Sequence, residues 1–184
     1  MAFIVMVALV AYGRQLSFEL TDVDVLPQIL TGRFESLEDL ATILTEPFLQ
    51  GRMPNATYWR PFTSFTYGLD ALVWGLDPFG YQLTDLVLHV TTAVVLYLFV
   101  ALLWRRLGRS GAEPVALASS LIFVLHPVQV ENVPAVARRG DLLVGLFLIL
   151  TLWFLLKAIH RNRGPGWAAP MAGVLGMAAK ESGF

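Results

Sequence analysis

Two long apolar segments constrain this fold more than any other feature of the sequence. They run from about residue 81 to 104 and from about residue 142 to 156, and three shorter ones cover residues 1–12, 114–125 and 166–179. A membrane-spanning helix needs about 20 mostly apolar residues, because its backbone polar groups must be paired inside lipid. Only 15% of the residues are charged, against about 25% in soluble domains. The sequence therefore predicts an all-α membrane protein with about five transmembrane helices.

Composition excludes several classes of function. The formal net charge is −1, so there is no basic excess of the kind that nucleic-acid binding requires. The absence of cysteine excludes disulfide frameworks, thiolate metal sites and cysteine nucleophiles. We expect no nucleic-acid partner; a divalent cation stays an open alternative that no motif in the sequence supports.

Basic residues in short loops predict the topology, because Lys and Arg favour the cytoplasmic side. Two such loops follow the second and fourth helices, with Arg105, Arg106 and Arg109 in one and Lys157, Arg161 and Arg163 in the other. Residues 13–80 then form a large first extracytoplasmic loop, and residues 81–184 contain helices two to five. Arg138 and Arg139 fall on the outer side and break the rule, which indicates a function there.

The first outer loop contains two predicted amphipathic helices. In FESLEDLATILTEPF, Ser36 is a suitable N-cap and Leu40, Ile43 and Leu44 recur at helical spacing. In PFTSFTYGLDALVWGL, Pro61 stands in a helix-start context. Each helix is expected either at the membrane surface or packed on its neighbours.

Carboxylates and a histidine supply the candidate chemistry. The stretch SFELTDVDVLPQI places Glu19, Asp22 and Asp24 just after the first helix, and we call residues 19–24 the acidic stretch. Such acids can bind a cation or act as a general base, although a solvated turn is the simpler alternative. Asp85 and His89, four residues apart in helix two, should share one face directed into the protein.

An ordered set of motifs resembles one family. The stretches YWRPFTSFTYGLDALVWGLDPFGYQLTDLVLHV, HPVQVENVPAVARRGDLLVGLF and AAKESGF resemble the membrane half of the transmembrane and tetratricopeptide repeat-containing O-mannosyltransferases and their bacterial relatives. Those enzymes belong to the GT-C class of multi-pass glycosyltransferases. The resemblance implies a GT-C fold, truncated here, in which residues 1–184 are the N-terminal part of the transmembrane domain.

The resemblance also implies an activity and a set of site residues. It implies inverting transfer of a sugar, with mannose as the expected one, from a polyprenyl-phosphate donor to a hydroxyl acceptor on the extracytoplasmic face. The base of such enzymes falls here on Asp22 or Asp24, with Asp22 preferred. Arg139 matches an Arg-x-Asp position and is expected to contact phosphate, with Asp141 orienting it. The other residues of these motifs are expected to contact substrate or hold its site: Arg60, His89, His126, Glu131, Arg138, Lys180 and Glu181.

Partners and location follow from the same resemblance. The expected partners are a lipid-linked sugar and a protein or glycan acceptor. The expected location is the bacterial inner membrane or the endoplasmic reticulum membrane. Two alternatives remain open at this point: a non-enzymatic membrane scaffold that retains the fold, and a transporter whose intramembrane charges line a pathway.

Overall fold

The structure is a computed structural model. It describes residues 1–20, 24–49, 58–161, 164 and 166–181. These residues form nine α-helices: α1 (Ala2–Tyr12), α2 (Val25–Gly32), α3 (Leu37–Thr45), α4 (Pro61–Trp74), α5 (Pro78–Arg106), α6 (Ala112–Leu125), α7 (Gln129–Asn132), α8 (Arg139–His160) and α9 (Ala168–Ala179). No strand occurs in the described part of the chain, so the prediction of an all-α protein is confirmed.

Two helices in the described part of the chain are long and apolar enough to cross a membrane. They are α5 and α8, the second taken together with the short turn of residues 136–138 that leads into it. The other three apolar segments form helices of 10 to 17 residues, which are shorter than a bilayer normally requires. Their lengths match the short apolar segments of the sequence.

Local signals explain where the helices begin and end. Asp77 caps α5, because its side chain accepts a hydrogen bond from the Phe79 amide at 3.0 Å, and Pro78 occupies the first turn. At α3, Ser36 and Asp39 form a capping box, as the sequence predicted for Ser36. α8 begins at Arg139, three residues earlier than expected, so Arg139 and Asp141 belong to a helix rather than to a loop.

The long helices are arranged so that charged residues collect at one end. α5 and α8 run in the same direction, while α6 packs against α5 and α9 against α8 in the opposite direction. The start of α5, the end of α6, the start of α8 and the end of α9 therefore meet, and α2 and α4 cover them. We call this region the loop end. The opposite end contains the predicted cytoplasmic loops, and we call it the basic end.

A helix that the sequence did not predict completes the loop end. α2 follows the acidic stretch directly and buries Val25 and Ile29 against Tyr67, Tyr81 and Val136. α4 is packed on neighbouring helices rather than lying free, since its Phe62 ring meets Phe147 of α8 edge to face.

Candidate functional site

A fully buried arginine organises the loop end. The Arg139 side chain has no exposed surface. Its Nε lies 2.6 Å from Asp85 Oδ1, its Nη1 lies 2.6 Å from Asp70 Oδ2, and its Nη2 donates a hydrogen bond to the Tyr81 carbonyl oxygen at 3.1 Å. Its guanidinium also stacks over the Tyr67 ring, 4.5 Å from the centroid. These five residues form what we call the buried charge cluster.

Burial corrects the role that the sequence predicted for Arg139. A guanidinium with no exposed surface and two carboxylate partners offers no donor to a lipid phosphate. The cluster instead joins α4, α5 and α8, because Asp70, Asp85 and Arg139 come from those three helices. Removing one partner from a buried ion pair typically costs about 3–5 kcal/mol, since the remaining charge stays buried and unpaired. We therefore assign Arg139 to the fold.

Tyr67 connects the cluster to the loop before α8. Its hydroxyl lies 2.6 Å from the carbonyl oxygen of Val136 and 2.9 Å from Gln28 Oε1. Burial raises the pKa of Tyr67 above its ordinary value, so the hydroxyl stays protonated and can donate. The turn that precedes Arg139 is thus attached to both α2 and α4.

A second group of charges lies at the end of α9 and is partly exposed. Lys180 Nζ lies 2.7 Å from Asp141 Oδ1 and 2.8 Å from Oδ2. Arg60 Nε lies 2.8 Å from Glu181 Oε2, and a guanidinium nitrogen also meets Oε1. The hydrogen bond from Arg60 lowers the pKa of Glu181 below its ordinary value. We call these the α9 ion pairs.

The α9 ion pairs change one prediction and leave others open. Asp141 holds Lys180 and does not orient Arg139, so the predicted Arg139–Asp141 arrangement is wrong. Lys180 keeps 22% of its side-chain surface and Glu181 keeps 41%, so both remain accessible from outside. A substrate contact by Lys180, Glu181 or Arg60 stays a prediction.

An open cavity lies beside Glu19, the first acid after α1. It has a volume of about 420 Å³ and is lined by Ser17, Phe18 and Glu19 on one side and by Gln82 and Pro134 on the other. A smaller cavity of about 40 Å³ shares Glu19, Gln82 and Pro134 and reaches Val136. We call the two together the acid-loop cavity. It brings together the segment after α1, the start of α5 and the loop before α8.

The two aspartates predicted as the base follow Glu19, a residue of the cavity wall, within five positions in the sequence. Asp22 falls outside the described residues. Asp24 is exposed and stands immediately before α2, five residues after Glu19. The base assignment therefore stays a prediction for both aspartates, while Glu19 is a described carboxylate of the cavity wall.

The remaining predicted residues are distributed between surface and core. His126, Glu131 and Arg138 are exposed, and His126 Nδ1 accepts a hydrogen bond from the Val128 amide at 3.2 Å, which shapes the turn after α6. His89 has no exposed surface and lies against the rings of Tyr12 and Phe123.

The sequence prediction that Asp85 and His89 face the interior is confirmed, because both are fully buried. Asp85 pairs with Arg139 rather than with His89. Among the residues that the structure describes, no three His, Asp or Glu side chains come together to hold a metal ion.

Sequence reasoning missed two partners of Arg139. Asp70 and Tyr67 both belong to α4 and are both buried. The signal was present, because Thr63, Tyr67 and Asp70 recur at the spacing of one helix face, which marks that face as the packed one. Gln82 of the cavity wall carried no comparable signal.

Comparison with known proteins identifies the family of the chain. The model of the dolichyl-phosphate-mannose-protein mannosyltransferase family matches residues 79–183. No solved structure matches the chain.

Curated relatives agree with the family match. The chain is 29% identical over 121 residues to protein O-mannosyl-transferase Tmtc3 of Drosophila melanogaster, covering 58% of this chain and 13% of that one. It is 30% identical over 142 residues to human protein O-mannosyl-transferase TMTC4, covering 68% and 19%. A Caenorhabditis elegans protein O-mannosyl-transferase is 23% identical over 170 residues, covering 80% and 23%.

The chain thus spans less than a quarter of the length of each of these relatives. The family match covers all of α8 and α9, nearly all of α5, and Arg138, Arg139, Asp141, Lys180 and Glu181. The chain is a membrane protein that belongs to the dolichyl-phosphate-mannose-protein mannosyltransferase family.

Proposed function

We propose that the chain is part of a multi-pass membrane enzyme that transfers mannose from a polyprenyl-phosphate donor to a hydroxyl group of a protein, on the extracytoplasmic face. The observation that carries the proposal is the acid-loop cavity, which lies between Glu19 and the loop before α8 in a chain of the mannosyltransferase family. The three relatives compared above are each named a protein O-mannosyl-transferase, which supports the acceptor class.

The proposed reaction assigns one role to the acidic stretch. Asp22 or Asp24 takes the proton of the acceptor hydroxyl while that oxygen forms a bond to the anomeric carbon. The bond from the anomeric carbon to the phosphate oxygen breaks, and the lipid phosphate leaves with the electron pair. Attack opposite to the leaving group inverts the anomeric centre. A positioned base of this kind typically contributes about 10²-fold to 10⁴-fold to the rate.

One exposed cation of the loop end, Arg138, is proposed to stabilise the departing phosphate. Arg138 is exposed and stands two residues after Val136, which lines the smaller part of the acid-loop cavity. Arginine suits this role because it forms bidentate hydrogen bonds to phosphate oxygens. Arg139, which the sequence favoured, instead supports the backbone from which Arg138 projects.

The buried charges argue against the transporter alternative. A transport pathway needs ionisable groups that water or substrate can reach. Arg139 and Asp85, in the two candidate spanning helices, are fully buried and paired with each other. An assay of mannose transfer distinguishes an enzyme from a non-catalytic scaffold.

The assay uses membranes that contain the full gene product. Radiolabelled mannose is supplied either on polyprenyl phosphate or on guanosine diphosphate, with an unfolded Ser/Thr-rich protein as acceptor. We expect transfer from the lipid-linked donor only, with the product anomer opposite to that of the donor. Transfer from the nucleotide sugar alone would overturn the proposed donor, and no transfer from either would favour the scaffold.

A further inference from the structure

A second cleft lies at the basic end, far from the acid-loop cavity. It has a volume of about 290 Å³ and opens between the C-terminal parts of α5 and α8. Its wall is mainly apolar and includes Leu98, Ala101, Leu102 and Trp153. α5 has 29 residues, which is about 43 Å at 1.5 Å per residue, so the two sites lie near opposite ends of this helix.

Basic side chains surround the mouth of this cleft. Arg105 comes from α5, Lys157 and His160 come from α8, and Arg161 follows α8 directly. Arg105 forms an ion pair with Glu113, and both are exposed. Lys157 Nζ lies over the Trp153 ring, 4.6 Å from the centroid.

The charge at the mouth is only partly balanced by the described acids. Glu113 pairs with Arg105, which leaves Lys157 and Arg161 without a carboxylate within ion-pair distance in the described part of the chain. Lys157 and Arg161 therefore give the cleft mouth a positive charge that an anionic group can neutralise. Cation–π contact with Trp153 orients the Lys157 ammonium over the cleft wall without neutralising it.

The apolar wall and the basic mouth of the cleft together suit one kind of ligand. In the described part of the chain, α5 and α8 are the two helices long and apolar enough to span a membrane, so we expect the cleft between their ends to lie near the lipid headgroups. An acyl chain fits the apolar wall, and a phosphate fits the basic mouth. Basic pockets between membrane helices on the cytoplasmic side recognise anionic lipid headgroups.

We infer that this cleft binds an anionic phospholipid, with its acyl chain along the wall formed by Leu98, Leu102 and Trp153 and its phosphate at Lys157 and Arg161. The site is separate from the proposed sugar-transfer site and does not depend on the proposed function. Binding there holds the C-terminal parts of α5 and α8 together at the membrane surface.

The test counts lipids bound to the 184-residue chain in detergent, where no charged bilayer surface contributes. The purified chain is titrated with phosphatidylglycerol or with phosphatidylcholine of the same acyl chains, and bound lipids are counted by native mass spectrometry. We expect a preference for phosphatidylglycerol, and Lys157→Gln/Arg161→Gln should reduce it by up to about fivefold for each cation removed, since an exposed ion pair contributes about 0.2–1 kcal/mol.

Arg106→Gln/Arg109→Gln is the matched control. It removes the same charge at the same end of the molecule, and neither residue lines the cleft. We expect the control to keep the wild-type preference, and circular dichroism to show the same helix content in both double variants. Equal binding of the two lipids by the wild type, or equal loss of preference in both double variants, would overturn the inference.

Discussion

Two sets of ion pairs at the loop end have similar chemistry and opposite surroundings. In the buried charge cluster, Arg139 meets Asp70 and Asp85 with no exposed side-chain surface of its own. In the α9 ion pairs, Arg60 and Lys180 keep 17% and 22% of their side-chain surface. The first set can only hold helices together, whereas the second can also meet a ligand.

This difference reassigns the roles of two adjacent arginines. Arg139 occupies the Arg-x-Asp position of the family motif and is buried, while its neighbour Arg138 is exposed. A residue required by a motif can therefore be required for the fold. Substrate contacts should be sought among the exposed groups around the acid-loop cavity.

The largest expected effect comes from breaking the buried charge cluster. Arg139→Met leaves Asp70 and Asp85 buried without their cation, and the free energy of unfolding should fall by about 3–5 kcal/mol. Thermal unfolding in detergent, followed by circular dichroism, measures this loss. Arg138→Met is the matched control, and we expect it to change stability by less than about 0.5 kcal/mol. Equal effects of the two substitutions would contradict the division between them.

A smaller effect should follow from disturbing the helices that support the cluster. A Cβ at Gly68 would overlap the Gly32 carbonyl oxygen and the Phe34 ring, so Gly68→Ala should push α4 away from α2. We expect a loss of about 1–3 kcal/mol in thermal unfolding, the usual cost of overpacking. Gly145→Ala in α8 is the control, because a Cβ there meets nothing within 4 Å. A Gly68→Ala substitution that leaves the free energy of unfolding unchanged would show that α2 and α4 are not packed closely at this position.

The α9 ion pairs should contribute less than the buried cluster. Lys180→Gln removes the partner of Asp141, and Arg60→Gln removes the partner of Glu181. Because water reaches both pairs, each substitution should cost about 0.2–1 kcal/mol in the same unfolding measurement. A cost near that of Arg139→Met would show that exposure does not separate the two sets.

The smallest expected effect is a pH dependence at the end of α9. The pKa of Glu181 is lowered by its hydrogen bond to Arg60, so the ionised carboxylate stabilises the fold at neutral pH. That contribution is lost as the pH falls through the lowered pKa, below the ordinary value of 4.5. The stability difference between wild type and Glu181→Gln, measured from pH 7 to about pH 3, should therefore shrink at acid pH. A difference that grows with acidity would contradict this sign.

The sequence alone predicted most of the helices for identifiable reasons. The apolar segments, the N-cap at Ser36 and the proline at residue 61 each indicated an element that the structure contains. α2 was missed because its eight residues are too few to show a distinctive helical repeat of apolar side chains. α8 begins three residues before its predicted start, because Arg138, Arg139 and Asp141 made this part of the sequence too polar to be assigned to an apolar helix.

The site was harder to predict because its contacts are long-range. The partners of Arg139 lie 54 and 69 residues earlier in the chain. Local spacing cannot reveal such a contact, and successive residues at a helix start point about 100° apart. The motif therefore identified the arginine but not its environment. Local spacing did correctly place Asp85 and His89 in the interior, because both belong to one helix.

The most direct test of the proposed site is mannose transfer per folded molecule for Asp22→Asn and Asp24→Asn in the full gene product. One of the two should lower transfer from polyprenyl-phosphate mannose by about 10²-fold to 10⁴-fold, because an amide cannot take the proton of the acceptor hydroxyl. Its thermal unfolding should match that of the wild type, unlike that of Arg139→Met. Transfer that stays within tenfold of the wild type in both variants would contradict the assignment of the base to this acidic stretch.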